Sequence, residues 1–90
     1  MLRITRCAHT RRRIALSVEG RIADQWVALI EHEIAAALEA ARSVEIDLAR
    51  VSYIDESGIR MLREVASKRL RLAHAPPFIE ALLTATPAPD

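Results

Sequence analysis

Aromatic residues and glycine are scarce in this 90-residue chain, which has three aromatics and two glycines. Because Trp26, Tyr53 and Phe78 are the only aromatic residues, we expect a core of Leu, Ile, Val and Ala. Two glycines are too few for a glycine-rich phosphate loop or a dinucleotide-binding fingerprint. Hydrophobic residues make up 51% of the chain and charged residues 28%, as in packed globular proteins. This length suits one compact domain and is too short for two.

Cysteine is also nearly absent, since Cys7 is the only one. An intramolecular disulfide and a cysteine-based zinc site are therefore excluded, and a single thiol suits a reducing cytosol. The three histidines lack the spacing of metal ligands, so we expect no metal and no other cofactor.

Long hydrophobic runs are missing. No apolar stretch approaches the roughly 18 residues that a membrane span needs, and the arginine-rich start lacks the apolar segment of a signal peptide. We therefore expect a soluble, cytoplasmic protein that does not insert into membranes.

The charges are nearly balanced, with a formal net charge of +1. This balance gives the molecule no strong preference for nucleic acid or membranes, and we expect no direct contact with nucleic acid. The first thirteen residues nevertheless contain five arginines and no acidic residue: Arg3, Arg6, Arg11, Arg12 and Arg13. This segment either touches phosphate or is a solvated hairpin, and we favour the hairpin.

Apolar and polar residues alternate in two early segments, a pattern that predicts β-strands. The apolar positions are Leu2 and Ile4 in the first segment, and Ile14, Leu16 and Val18 in the second. A turn at residues 9–12 joins the segments into an antiparallel hairpin, and Gly20 closes the second strand.

The rest of the chain alternates between helical and strand patterns. Asp24 is the expected cap of an amphipathic helix that reaches about Arg42. A strand from Val44 to Leu48 follows, is interrupted at residues 49–50 and leads through residues 51–54 into a short second helix. Leu70 and Leu72 mark another strand, and proline in the first turn begins a last helix at residues 76–83.

The order β-β-α-β-α-β-α predicts an α/β fold with a four-stranded mixed sheet and three helices. Strands separated by helices need crossover connections, which favour parallel neighbours. Whether the helices cover one or both faces stays open at this point. We expect one domain over residues 1–86 and a disordered tail at residues 87–90.

The stretch from Val44 to Leu62 is the most informative part of the sequence. An apolar strand ending in Asp47-Leu48 is followed by a short turn, an apolar pair and Asp55-Glu56-Ser57-Gly58, which leads into an apolar helix. This arrangement resembles the signature of STAS domains, the family that includes the anti-sigma-factor antagonists. The elements on either side also follow the family's order, so the resemblance extends from about Arg13 to Leu83.

The resemblance implies a non-enzymatic protein of signal transduction and transcription regulation. In such antagonists the serine of the motif is phosphorylated by a kinase that is also the anti-sigma factor. The unmodified form binds this partner and frees a sigma factor. By position, Ser57 is the phosphoacceptor, and Asp55, Glu56, Ser57, Gly58 and Arg60 are expected to contact the partner. We expect a monomer or a weak homodimer.

The residues themselves leave two interpretations of Ser57 open. The predicted amino end of a helix favours negative charge, so a phosphate is acceptable there. A phosphate adds about −1.5 to −2 charges, which is enough to repel an acidic partner surface. Serine is also a common helix cap, and both Ser57 and Asp55 fit that purely structural role.

Two features favour an adaptor that is not phosphorylated, either in a transporter or in a signalling assembly. Glu56 places a carboxylate beside Ser57, where STAS antagonists usually have a small residue, and like charges repel a phosphate. The segment between the second helix and the next strand is also several residues shorter than in the family. A small enzyme that uses Asp55 and Ser57 is a third alternative, but no histidine lies nearby in the sequence to act as a base.

Overall fold

The computed structural model describes residues 2–10, 12–66 and 69–84 of the chain. Its seven elements follow the predicted order β-β-α-β-α-β-α. They are β1 (Leu2–His9), β2 (Arg13–Ile22), α1 (Gln25–Ala40), β3 (Ser43–Ile54), α2 (Glu56–Val65), β4 (Leu70–Ala73) and α3 (Pro77–Thr84).

The four strands form one mixed sheet in the order β1-β2-β3-β4. β1 is antiparallel to β2, while β2, β3 and β4 run parallel to one another. The crossovers α1 and α2 connect the parallel strands, as the sequence pattern predicted. The carboxyl ends of β2 and β3 therefore lie side by side, with Ile22 opposite Ile54.

The core is aliphatic, as expected from the scarcity of aromatic residues. The central strands bury alternate residues, which pack with one face of each helix. From the strands these are Ile14, Leu16, Val18, Ile22, Val44, Ile46, Leu48, Val51, Ile54 and Leu70. The helices contribute Ile30, Ile34, Ala37, Ile59, Met61, Leu62 and Ile79. Trp26 is only half-buried, and Tyr53 and Phe78 are 43% and 45% exposed.

The opposite face of the sheet is polar, which answers the question of layers that the sequence left open. Across β2 and β3 the residues between the core positions are only half-buried, among them Ser17, Glu45 and Asp47. Arg13 donates to Glu45 at 2.5 Å on this face. Among the described residues all three helices pack against a single core, so the fold has two layers.

Both central strands are longer than the sequence pattern predicted. β2 continues past Gly20, whose φ of 100° lies in a region that glycine tolerates. β3 is not interrupted at residues 49–50, because the register shifts twice against β2 and β3 accommodates an extra residue each time. These bulges break the alternation of apolar residues without ending the strand.

Arginine side chains bind the carboxyl ends of two helices. Arg69 donates to the carbonyls of Leu38, Ala41 and Arg42, where α1 ends two residues before the predicted boundary. Arg63 of α2 donates to the carbonyls of Leu82 and Leu83 in α3. A guanidinium at a helix carboxyl end both satisfies carbonyls and complements the helix dipole.

Two further expectations concern the ends of the chain. The tail predicted at residues 87–90 lies outside the described residues, and the domain extent of 1–86 stays a prediction. In the part that the structure describes, none of the helices has the length and hydrophobicity required to cross a membrane.

Candidate functional site

The candidate site lies where β3 passes into α2, at the carboxyl end of the sheet. Asp55 occupies the cap position with extended backbone angles, φ −92° and ψ 179°. Its Oδ1 accepts a hydrogen bond from the backbone N–H of Gly58 at 2.7 Å. Asp55 is therefore the side-chain cap of α2, one of the two roles that the sequence allowed for it.

Ser57 is the second residue of α2, and its side chain is exposed. Its hydroxyl donates a hydrogen bond to the same Asp55 Oδ1 at 2.8 Å. The alternative that Ser57 caps the helix is wrong, because Asp55 holds that position. The hydroxyl is thus free of a capping role and lies at the surface beside the positive end of a helix dipole.

The second oxygen of Asp55 reaches another element. Oδ2 accepts the backbone N–H of Asp24 at 2.9 Å, and the N–H of Asp55 donates to the Ile22 carbonyl at 3.0 Å. Asp24 occupies the cap position of α1, as predicted, although its side chain makes no capping hydrogen bond. The Asp24–Asp55 contact could not be predicted from the sequence, because the two residues are 31 positions apart.

These donors lower the pKa of the Asp55 carboxyl below its ordinary value of 3.8. The Asp24 N–H is the largest cause and the Gly58 N–H the next, while the Ser57 hydroxyl adds a smaller effect. Partial burial acts in the opposite direction and is outweighed. Asp55 is therefore charged at neutral pH and is a weak general base, which argues against the alternative of a small Asp–Ser enzyme.

Gly58 lies beneath the site and is buried. A β-carbon added there would lie 2.8 Å from Ile54 Cγ1, 2.9 Å from Ile22 Cγ2 and 3.0 Å from the Ile22 carbonyl oxygen. The glycine thus lets α2 approach the ends of β2 and β3 closely. Its contribution to partner binding, which stays a prediction, is to shape the surface and not to offer a side chain.

Glu56 and Arg60 form the outer face of the site. Their side chains are 91% and 67% exposed and make an ion pair at 3.6 Å across one turn of α2. Together with Ile59, Arg63 and Glu64 they line a shallow groove along the helix. The charge of Glu56 is thus partly balanced by Arg60, although exposed pairs of this kind are weak.

A cation–π contact lies at the same end of the sheet and was not predicted from the sequence. The guanidinium of Arg21 lies 4.5 Å from the centre of the Tyr53 ring, and the two residues are partners in the register of β2 and β3. Both are exposed. Only the register between the strands, which the sequence does not display, brings them together.

The remaining candidates of the sequence offer no second site among the described residues. Cys7 is exposed on β1. The described residues contain no group of three or more His, Cys, Asp or Glu side chains that is arranged to hold a metal ion.

Comparison with known proteins identifies the family. A family model described as "Mlab, STAS domain" matches residues 5–87. The chain belongs to the STAS family. No match was found among curated proteins.

Solved STAS structures share the fold. The anti-sigma-factor antagonist SpoIIAA in its unphosphorylated form is 22% identical, with a TM-score of 0.66 over 94% of this chain and 84% of that one. An anti-sigma-factor antagonist from Mycobacterium paratuberculosis is 23% identical, with a TM-score of 0.60 over 80% and 64% of the two chains. An antisigma-factor antagonist STAS domain from Rhodobacter sphaeroides is 26% identical, with a TM-score of 0.54 over 81% and 86%. The predicted STAS fold is confirmed.

Proposed function

We propose that this STAS domain is a regulatory protein of the anti-sigma-factor antagonist type. It binds a protein that is both a serine kinase and an anti-sigma factor through the surface formed by Asp55, Glu56, Ser57 and Arg60. Phosphorylation of Ser57 releases that partner. The observation that carries the proposal is the exposed hydroxyl of Ser57 at the start of α2, where Asp55 and not Ser57 caps the helix.

The charges around Ser57 explain how phosphorylation would act. A phosphate on Oγ replaces the O–H that donates to Asp55 and adds about −1.5 to −2 charges. Asp55 and Glu56 repel the added charge, whereas the helix dipole and Arg60 attract it. The modified surface is therefore strongly negative and presents phosphate oxygens where the partner would contact a small hydroxyl. The unmodified form is the one that binds.

Phosphorylation can be tested by intact-mass measurement after incubation with candidate partner kinases and ATP. We expect a mass gain of one phosphate, which is lost in Ser57→Ala. Ser52→Ala is the matched control, since Ser52 is also exposed and lies on the neighbouring strand β3. A phosphate that persists in Ser57→Ala would contradict the assignment.

A second candidate function is a constitutive adaptor subunit of a transporter or signalling assembly. The observation that favours it is the carboxylate environment of Ser57, which is hydrogen-bonded to Asp55 and adjacent to the exposed Glu56. Both groups disfavour a phosphate. An adaptor would copurify with an ATPase or transport subunit, and its binding would be insensitive to ATP and unchanged in Ser57→Asp.

We also infer a cytoplasmic location, a monomeric or weakly dimeric state and no enzymatic activity of its own. The low base strength of Asp55 supports the last point. Sedimentation of the purified chain at several concentrations measures the oligomeric state.

A further inference from the structure

The carboxylate of Asp55 connects the amino ends of two helices. Oδ1 accepts from Ser57 Oγ and from Gly58 N in α2, at 2.8 and 2.7 Å. Oδ2 accepts from the N–H of Asp24, at the junction between β2 and α1, at 2.9 Å. A single side chain therefore contacts both the predicted phosphoacceptor and the backbone of a distant segment.

Asp24 needs this support because its backbone is strained. Its φ of 54° and ψ of −128° match the first central position of a type II′ turn, where glycine is preferred. The N–H of Trp26 closes that turn by donating to the Ala23 carbonyl at 3.0 Å. The Asp24 side chain forms no capping bond, so the hydrogen bond to Asp55 is the contact that fixes the peptide N–H of Asp24.

We propose that Asp55 is a positioning residue that transmits the state of the Ser57 hydroxyl to the backbone of Asp24, so that phosphorylation changes the β2–α1 junction as well as α2. The role of this coupling in regulation rests on the proposed function. The coupling itself is a property of the isolated domain.

The transmission follows from how a carboxylate shares its charge. Loss of the Ser57 O–H removes a donor from Oδ1, and a negative group on Ser57 repels the whole carboxylate. Because Oδ1 and Oδ2 are part of one rigid plane, a rotation that moves Oδ1 away from Ser57 also moves Oδ2 away from the Asp24 N–H. Charged residues on the connected elements are Glu56 and Arg60, which pair with each other on α2, Asp24 at the β2–α1 junction, and Arg21 on β2.

The junction is accessible to a partner, since Asp24 and Gln25 are both exposed. A protein that contacts this junction would therefore sense the modification without touching the phosphate. The switch would then act over two helix ends and not at one side chain alone.

Backbone amide NMR of the full chain tests the coupling without a partner. We expect Ser57→Asp to shift the Asp24 amide proton and to accelerate its hydrogen exchange by roughly tenfold or more, the loss expected for a hydrogen bond to a charged group. Ser52→Asp is the control, because it adds the same charge to β3 without touching Asp55. The amide of Ile46, which is buried at the centre of the sheet between β2 and β4, is the internal reference for global unfolding.

The decisive comparison repeats Ser57→Asp in an Asp55→Asn background. Asparagine still caps helices but has one acceptor oxygen instead of two, so it cannot serve both Gly58 and Asp24. In this background Ser57→Asp should leave the Asp24 amide unchanged. An Asp24 amide that is unchanged in the single variant, or that moves equally in both backgrounds, would overturn the coupling.

The two proposals fail in different ways. If Ser57→Asp releases the partner while the Asp24 amide does not move, the coupling is wrong and the proposed function stands. If the Asp24 amide moves while partner binding is unaffected by Ser57→Asp, the coupling stands and the phosphorylation switch is wrong.

Discussion

Ser57, Asp55 and Gly58 have different roles although they occupy neighbouring positions. Ser57 offers the exposed hydroxyl, Asp55 holds that hydroxyl and the backbone around it, and Gly58 lets α2 pack closely against Ile22 and Ile54. Asp55 and Ser57 could be selected from the sequence because their motif precedes an apolar helix. The sequence could not show which of the two caps the helix and which offers a hydroxyl to a partner, since serine and aspartate cap helices about equally well.

Asp55 and Asp24 provide a direct test of which aspartate stabilises the fold. Asp55→Ala removes the cap of α2 and leaves the Asp24 N–H without its acceptor, so we expect the free energy of unfolding to fall by about 1–2 kcal/mol. Asp24→Ala should cost less than about 0.5 kcal/mol, because the Asp24 side chain caps nothing. Urea unfolding followed by circular dichroism measures both. Equal losses would contradict the assignment of the cap.

The lowered pKa of Asp55 predicts an acid-sensitive component of stability. Since the carboxyl binds protons less readily in the folded state, its contribution is complete above the unfolded pKa of 3.8 and is lost as the pH falls through the lower folded value. We expect the difference in unfolding free energy between the wild type and Asp55→Asn to be constant from pH 7 to pH 5 and to shrink below about pH 4. A difference that stays the same at pH 3 would show that Asp55 titrates normally.

Gly58→Ala should lower the free energy of unfolding, although replacing glycine by alanine inside a helix usually raises it. In an unconstrained helix interior the change stabilises by about 1 kcal/mol. Here the new β-carbon would lie within 3.0 Å of the Ile22 carbonyl oxygen and closer still to two side-chain carbons. We expect a loss of about 1–3 kcal/mol from overpacking, measured by urea unfolding beside Ser57→Ala as the neighbouring control. A stabilised Gly58→Ala would refute the close packing.

At the scale of elements, the boundaries depend on contacts that are distant in sequence. The spacing of apolar residues, alternate in strands and every three to four residues in helices, predicted every strand and helix of the fold, because burial on one face is visible in the sequence. It missed the continuity of β3, since bulges displace the alternation at residues 49–50. It also placed the end of α1 at about Arg42, two residues beyond Ala40. The contacts of Arg69 with the end of this helix form only in the folded chain and are not visible in the sequence.

Arg69 is therefore expected to stabilise α1 although it lies outside that helix. Arg69→Ala removes the donors to the carbonyls of Leu38, Ala41 and Arg42, and we expect a loss of about 1–2 kcal/mol. Arg71→Ala removes an equal charge from an exposed position on β4 and is the control. Hydrogen exchange should show faster opening of the last turn of α1 in Arg69→Ala only. Identical exchange in the two variants would contradict the role of Arg69.

At the scale of the whole molecule, the three helices share one face of the sheet and leave the other polar. The sequence predicted the mixed sheet, but it could not decide the number of layers. Because parallel crossovers are nearly always right-handed, the face that each helix covers depends on the strand order, which the sequence does not display. The arrangement also brings the ends of β2 and β3 together, so that Arg21, Asp24, Tyr53 and Asp55 meet at one end of the domain. That convergence is visible only in three dimensions.

The central claim is that a partner protein binds the surface at Ser57 and that a phosphate on this residue lowers the affinity. Calorimetric titration of the purified partner into the unmodified and the Ser57-phosphorylated chain tests it most directly. We predict that the phosphorylated chain binds at least about tenfold more weakly, the change that corresponds to 1.4 kcal/mol of charge repulsion and lost contact. Equal dissociation constants for the two forms would contradict the claim and favour the constitutive adaptor.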